Sequence, residues 1–195
     1  MTRVRKKNHA KAQLRIIGGT HRGRKLPILA AEGLRPTGDR MRETLFNWLM
    51  AHVPNSRCID MFAGTGALGI EALSRRAKHC SFVELNRDAA QQIKHNLTSI
   101  GIDSQQGSVL QQDVLSMSCP VLPFNIAFVD PPFNHGMAQQ ALDKLQQPGW
   151  LAAGAWVYLE HEKNLSGPNI PQDWRLAKQQ NTQQVVANLY QFMPN

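Results

Sequence analysis

From residue 57 onward the chain alternates between short apolar runs and helix-patterned segments, and this alternation limits the possible folds more than any other feature. The spacing predicts strands at "RCIDMF" (57–62), "HCSFVEL" (79–85), "SVLQQD" (108–113), "FNIAFVD" (124–130) and "AWVYLEH" (155–161). Between them, "TGALGIEALSRRA" (65–77), "RDAAQQIKHNLTSI" (87–100) and "MAQQALDKLQQ" (137–147) repeat their apolar residues every three to four positions, as helices do. A strand that returns through a helix lies parallel to its neighbour, so the pattern implies a parallel sheet covered on both faces. Residues 174–193 read as two β-runs about a polar turn, which adds an antiparallel edge hairpin. The expected fold class is α/β, a Rossmann-like, mostly parallel sheet over residues 56–195.

Ahead of this body, residues 1–13 read as a disordered basic arm and 14–55 as an extension made of a hairpin and a helix. "LRIIGGTHRGRKLPIL" (14–29) carries two β-prone runs around Gly18, Gly19 and Gly23. "TGDRMRETLFNWLMAH" (37–52) places Leu45, Trp48 and Leu49 on one helical face, with Met41 a turn earlier and Thr37 or Asp39 as the cap.

Charge divides the chain along the same boundary. Residues 1–42 hold twelve Lys and Arg against only Glu32 and Asp39, whereas the remaining residues hold ten basic and twelve acidic side chains. A basic terminus alone is often just a solubilising tail. Here the charge continues into segments with folded patterning, which favours a polyanion partner. The candidate contacts are Arg3, Arg5, Lys6 and Lys7 in the arm, then Arg15, Arg22, Arg24, Lys25, Arg40 and Arg42. No apolar run approaches the ~20 residues of a membrane span, and the basic start lacks the apolar core of a signal peptide. Cys58, Cys80 and Cys119 are widely spaced and odd in number, and the seven histidines lack ligand spacing. Neither a disulfide framework nor a metal site is expected, and a cytoplasmic monomer fits best.

In an open α/β sheet, ligands bind beyond the carboxyl ends of the strands. Asp60, Glu84, Asp113 and Asp130 all fall there. Any one acid reads as a cap or a turn former, but four along one edge are harder to dismiss. Gly64, Gly66 and Gly69 form G-x-G-x-x-G between a strand and a helix, which by itself suits NAD as well as S-adenosylmethionine. Glu84 can accept both ribose hydroxyls of either cofactor. Asp60 separates the two readings, because a carboxylate there opposes a pyrophosphate and suits the ammonium of S-adenosylmethionine. Asp113 then offers an acceptor to the adenine amino group.

"DPPF" (130–133) suits a nucleobase amino group. The lone pair of such a nitrogen is delocalised into the ring. Acceptors on both its N–H bonds return density to it: the Asp130 carboxylate on one, the Pro131 carbonyl on the other. Pro131 and Pro132 fix the backbone, and Phe133 can stack on the base. Cys119 precedes its strand and reads as structural, and His161, after Glu160, as a surface or supporting residue.

"DMFAGTGALGIEA", "VELN", "QQD" and "DPPF" resemble the ordered motifs of class I amino-methyltransferases, whose sheet has seven strands. "RIIGGTHRGRKL" and "LRPTGDRMRETLFNWL" are similar to the signature of the RsmD family of bacterial small-subunit rRNA guanine-N2 methyltransferases. The resemblance covers residues 14–160. It implies one methyl group transferred to the exocyclic N2 of a guanine in 16S rRNA, in a loop near the P site of the small ribosomal subunit. It also implies S-adenosylmethionine held by Asp60, Phe62, Ala63, Gly64, Thr65 and Gly66, by Glu84 with Leu85, and by Asp113 with Val114. Arg35, Pro36 and Thr37 would close the methionine end of the pocket, and Asp130 to Phe133 would hold the guanine. Arg76 departs from the pattern, standing where the family usually has glycine. The alternatives are another amino-methyltransferase, acting on DNA adenine or protein glutamine, and an RNA-binding assembly factor with a vestigial pocket.

Overall fold

The computed structural model describes residues 13–29, 38–132, 136–163 and 167–194. Strands β1 (Gln13–Arg15) and β2 (Lys25–Pro27) pair antiparallel, with Leu14 opposite Leu26, and helix α1 spans Asp39–Trp48. The body then runs β3 (Arg57–Asp60), α2 (Ala67–Ser74), β4 (His79–Val83), α3 (Arg87–Ser99), β5 (Gly107–Leu110), β6 (Phe124–Val129), α4 (Met137–Leu145), β7 (Leu151–Glu162), β8 (Trp174–Asn181) and β9 (Val185–Phe192). The order across the seven-stranded sheet is β5-β4-β3-β6-β7-β9-β8. Pairings from β5 to β7 are parallel, and those of β9 with β7 and β8 are antiparallel. The direction of winding reverses between β3 and β6, and in open sheets of this kind ligands bind beyond the carboxyl ends at such a switch point. Among the described residues, no helix is long and apolar enough to cross a membrane.

Successive side chains of a strand face opposite ways, so β6 feeds two cores. Ile126 and Phe128 join the face covered by the hairpin, α1, α2 and α3, while Ala127 and Val129 join the face covered by α4. The hairpin residues Leu14, Ile16 and Leu26 are buried in the same cluster as α1 and α2. Gln13, the last residue of the expected arm, opens β1; residues 1–12 lie outside the described residues.

A buried carboxylate joins this extension to the body. Glu71 of α2 is 1% exposed. It accepts the amides of Ile17 and Gly18 at 2.8 Å each and Arg75 Nε at 2.7 Å. Below it, Ser74 Oγ donates to the Gly18 carbonyl at 2.6 Å and accepts from the His21 amide at 3.0 Å. The approach is close enough that a Cβ on Gly19 would lie 1.8 Å from the Ser74 carbonyl oxygen.

Two expectations need correction. Arg42 is not an RNA contact. It is 1% exposed and donates through Nη2 to the Arg15 carbonyl and to Asp39, with Glu71 at 3.9 Å from Nη1. Asp39 does not cap α1; the cap position is Gly38, without a side-chain bond, and Thr37 lies outside the described residues. Trp48 packs against the core together with Leu45 and Leu49, though only partly buried, and Phe46, outside the expected face, is fully buried 5.9 Å from the Phe128 ring.

Helix α2 ends in a Schellman motif, with Ala77 N–H on the Ala72 carbonyl and Arg76 N–H on the Leu73 carbonyl, both at 3.0 Å. This motif wants glycine at its left-handed position. Arg76 occupies it with φ 70°, a conformation that costs an L-residue roughly 1–2 kcal/mol.

Glu71→Ala is expected to destabilise the protein by about 3–5 kcal/mol, since it leaves the Ile17 and Gly18 amides and the Arg75 guanidinium without their acceptor. Hydrogen exchange of the Ile17 and Gly18 amides should accelerate first. Unchanged protection there would show that apolar packing alone holds the hairpin.

Candidate active site

The switch point beyond the carboxyl ends of β3 and β6 is lined mostly by acids. Asp60, the last residue of β3, is 2% exposed, and its Oδ2 accepts the Gly69 amide at 3.1 Å. Gly69 brings α2 down onto β4, since a Cβ there would meet Phe82 at 2.2 Å. The loop between β3 and α2 turns through Gly64 (φ 52°) and Gly66 (φ 77°), both left-handed. Ala63 anchors it by donating to the Val83 carbonyl at 2.9 Å, while Phe62 packs against the α4-side core.

Glu84 follows β4. Its Oε2 accepts the Gly64 amide and its Oε1 the Asn86 amide, both at 2.7 Å. It therefore fastens the glycine loop to the start of α3, and each oxygen keeps a second lone pair for a ligand hydroxyl. Leu85 beside it is 70% exposed. Asp113, beyond β5, spends Oδ1 on the Leu115 amide at 2.9 Å. The Val114 side chain is buried, which leaves its main chain as the part able to face a ligand. Asp130 directly follows β6 and is partly buried, Pro131 is buried and Pro132 exposed. Phe133, and Arg35, Pro36 and Thr37, lie outside the described residues.

A further acid completes the row. Glu160 of β7 is 6% exposed and accepts the Tyr158 hydroxyl at 2.5 Å. Val129 pairs with Leu159 in register, so Glu160 stands beside Asp130. Burial pushes Glu160 up to about 8, and the Asp130 charge adds to this against the Tyr158 hydrogen bond. Burial likewise pushes Asp60 up to about 7; the Gly69 amide opposes it, and Asp130 and Glu84 raise it further. Glu160 escaped selection from the sequence, although "YLEH" ends a strand in an acid by the same rule as the other four. His161 turns to its neighbour, with Nδ1 3.1 Å from the Glu162 carbonyl.

Of the expected polyanion contacts, Arg15, Arg22, Arg24, Lys25 and Arg40 are exposed. Arg3, Arg5, Lys6 and Lys7 lie outside the described residues. Two grooves, of about 370 and 430 Å³, lie at the opposite, amino edge of the sheet. Buried carboxylates around a glycine turn, rather than concavity, are what mark the carboxyl edge as the chemical one.

The family described as Conserved hypothetical protein 95 matches residues 14–191. Ribosomal RNA small subunit methyltransferase D of Haemophilus influenzae is 47% identical over 187 residues, covering 94% of this chain and 96% of that one. The Escherichia coli K12 protein of the same name is 43% identical over 190 residues, covering 96% and 95%. The solved structure of a putative methyltransferase, yhhF, from Escherichia coli superposes with a TM-score of 0.86 at 40% identity, over 93% of this chain and 99% of that one.

The raised carboxyls predict a pH dependence. A folded pKa near 7 for Asp60, above the unfolded value near 4, means that the folded state keeps a proton the unfolded state has lost. Stability should therefore fall as pH rises from about 4 to 7 and then level, with Glu160 extending the fall towards 8. Asp60→Asn can keep the Gly69 bond through its amide oxygen. It should flatten this fall and be more stable than the parent at pH 8, read by thermal unfolding without cofactor. A variant less stable at pH 8 would show that the Asp60 charge is compensated in the fold.

Proposed function

Because the chain belongs to the ribosomal RNA small subunit methyltransferase D family, we propose that it methylates the exocyclic N2 of a guanine in 16S rRNA, using S-adenosylmethionine. The observation that carries this reading is the buried Asp60 carboxylate at the switch point of the sheet, one strand away from Asp130 and Pro131. A dry carboxylate held by a single amide fits a ligand that brings a cation, and it disfavours a pyrophosphate.

In this reading Asp60 takes the ammonium of the methionine end, Glu84 the ribose hydroxyls, and Asp113 with the Val114 main chain the adenine, with Leu85 as apolar cover. Bound there, S-adenosylmethionine supplies a methyl carbon activated by its sulfonium. At the acceptor, Asp130 and the Pro131 carbonyl take the two N–H bonds of the guanine amino group and return density to its lone pair. Phe133 stacks on the base and Arg35, Pro36 and Thr37 close the methionine end; these assignments rest on the sequence motifs. The nitrogen must shed one proton after it gains the methyl group. Glu160, protonated at neutral pH, keeps the acid pair from carrying two charges while the base docks. The exposed cations of the hairpin meet phosphates, and the target base unstacks into the pocket.

The direct test is transfer of labelled methyl to small subunits from cells lacking this activity, followed by nucleoside identification. N2-methylguanosine is expected; methyladenosine, or label in protein, would overturn the assignment. Within that assay, Asp130→Asn should retain part of the single-turnover rate because its amide oxygen still accepts a hydrogen bond. Asp130→Ala should lose about tenfold to a hundredfold more, the equivalent of ~1–3 kcal/mol for an unpaired amino group. If Asn is as inactive as Ala, the charge rather than the acceptor is essential.

Cofactor affinity should also follow pH. A cation beside Asp60 favours its ionised form, so binding releases a proton below pH 7. Calorimetry should find affinity rising by up to tenfold per pH unit from 5 to 7 and then levelling. A flat profile would place the ammonium elsewhere.

A further inference from the structure

The amino edge of the sheet carries a cationic groove that the methyl-transfer site leaves unused. Its wall is formed by Thr20, His21, Asn55, Arg76, Lys78 and Gln106, in front of the starts of β3, β4 and β5. A second hollow, against Met50 and Val53, shares Thr20 and Arg76 with it, so the two run together. The groove is separated from the acid row by the length of the strands, roughly 16 Å for five residues at about 3.3 Å each.

Two features mark this groove as built rather than incidental. Asn55 (φ 62°) and Arg76 (φ 70°) are the non-glycine residues with left-handed backbone among the described residues, and both line it. They are joined directly, the Asn55 amide donating to the Arg76 carbonyl at 2.8 Å. A glycine would satisfy the helix end at less strain, so the strain carries the Arg76 side chain. Strained backbone held in place by its surroundings is a pointer to function.

The wall is also rigid. Thr20 Oγ1 donates to the Ser74 carbonyl at 3.1 Å, and the His21 amide to Ser74 Oγ at 3.0 Å. Arg76 and Lys78 are exposed, and Arg22, Arg24 and Lys25 continue the exposed positive charge along the hairpin. Of the nearby acids, Glu71 is sealed under Arg75, and Asp103 accepts the Gln105 and Gln106 amides. A fixed, mostly cationic trough with amide and hydroxyl groups suits a phosphodiester backbone.

We propose that this groove binds the sugar-phosphate backbone of the substrate RNA, as a second contact away from the base being methylated. The inference rests on the rRNA reading above. Arg76 supplies the planar donor fork that phosphate prefers, Lys78 a point charge, and Gln106 a neutral donor.

The test uses Arg76→Gly, Arg76→Lys and Lys78→Ala in the full chain, with Lys178→Ala on β8 as a control. Binding to a 16S rRNA transcript and to assembled small subunits is titrated from 50 to 300 mM salt, beside thermal unfolding and wild-type methyl transfer. Arg76→Gly should raise the Tm by about 2–4 °C through relief of strain. It should also weaken RNA binding about threefold to tenfold and flatten the log affinity–log salt slope by ~0.7–0.9. Lys78→Ala should flatten the slope similarly; Arg76→Lys should keep most of it, and Lys178→Ala should change neither slope nor affinity. A stabilised Arg76→Gly protein with unaltered affinity and slope would overturn the groove while leaving the rRNA reading intact. A defect on assembled subunits but not on the transcript would assign the groove to a ribosomal protein and also overturn it. A wild type that neither binds nor methylates this RNA would remove both readings together.

Discussion

The Glu71 carboxylate decides how the two halves of the molecule meet. Taking it out of water costs several kcal/mol, which the arrangement offsets with the Ile17 and Gly18 amides and the Arg75 guanidinium. Its position in α2 matters as much as its energy. The same helix offers the Gly69 amide to Asp60 two residues earlier, and its Ser74 grips the hairpin three residues later. One short helix thus fixes the glycine loop, the hairpin and the strained Arg76 in a single frame. An apolar residue at position 71 could pack there but could not set this register, because it would leave two hairpin amides without acceptors.

At the other end of α2 the constraint is reversed. Glu71 is a charge made comfortable by donors, whereas Asp60 and Glu160 are acids that burial holds above their ordinary range. Such groups are poor stabilisers of the protein alone and good receptors for a cation, the usual trade between stability and activity. The resulting strain is electrostatic at the carboxyl edge and conformational at the amino edge. The body between them is ordinary, with Ile59, Phe82 and Phe128 buried on fully covered strands.

Most of this was legible because the decisive signals are local. Alternating apolar runs mark strands, and an acid after each run marks the carboxyl edge, so Asp60, Glu84 and Asp130 could be read directly. What escaped depends on partners distant in the chain. Arg42 resembles its exposed neighbours, and the Arg15 carbonyl 27 residues away, together with Glu71, makes it a buried strut. Phe46 lies one position from the predicted face, and its burial depends on Phe128. Glu160 obeys the rule for strand-end acids, but its weight comes from β7 lying beside β6, which the pattern of strands and helices leaves open. Arg76 can be seen in the sequence as a departure; its left-handed backbone and its place in a groove cannot.

The uneven charge map then acquires a physical meaning. A polyanion must bring a base to an edge lined with carboxylates, and like charges at short range repel by an amount that grows as water is excluded. Burial eases this conflict at its source, since at neutral pH Glu160 is mostly protonated and Asp60 only partly ionised, and both present less charge to the RNA. The exposed cations Arg15, Arg22, Arg24, Lys25 and Arg40 stand on the hairpin and at the start of α1, on different elements from the acids of the carboxyl edge. Recognition of phosphate and retention of a cationic cofactor can therefore proceed on one small protein without either charge cancelling the other. The cations of the hairpin depend on its staying where Glu71 holds it.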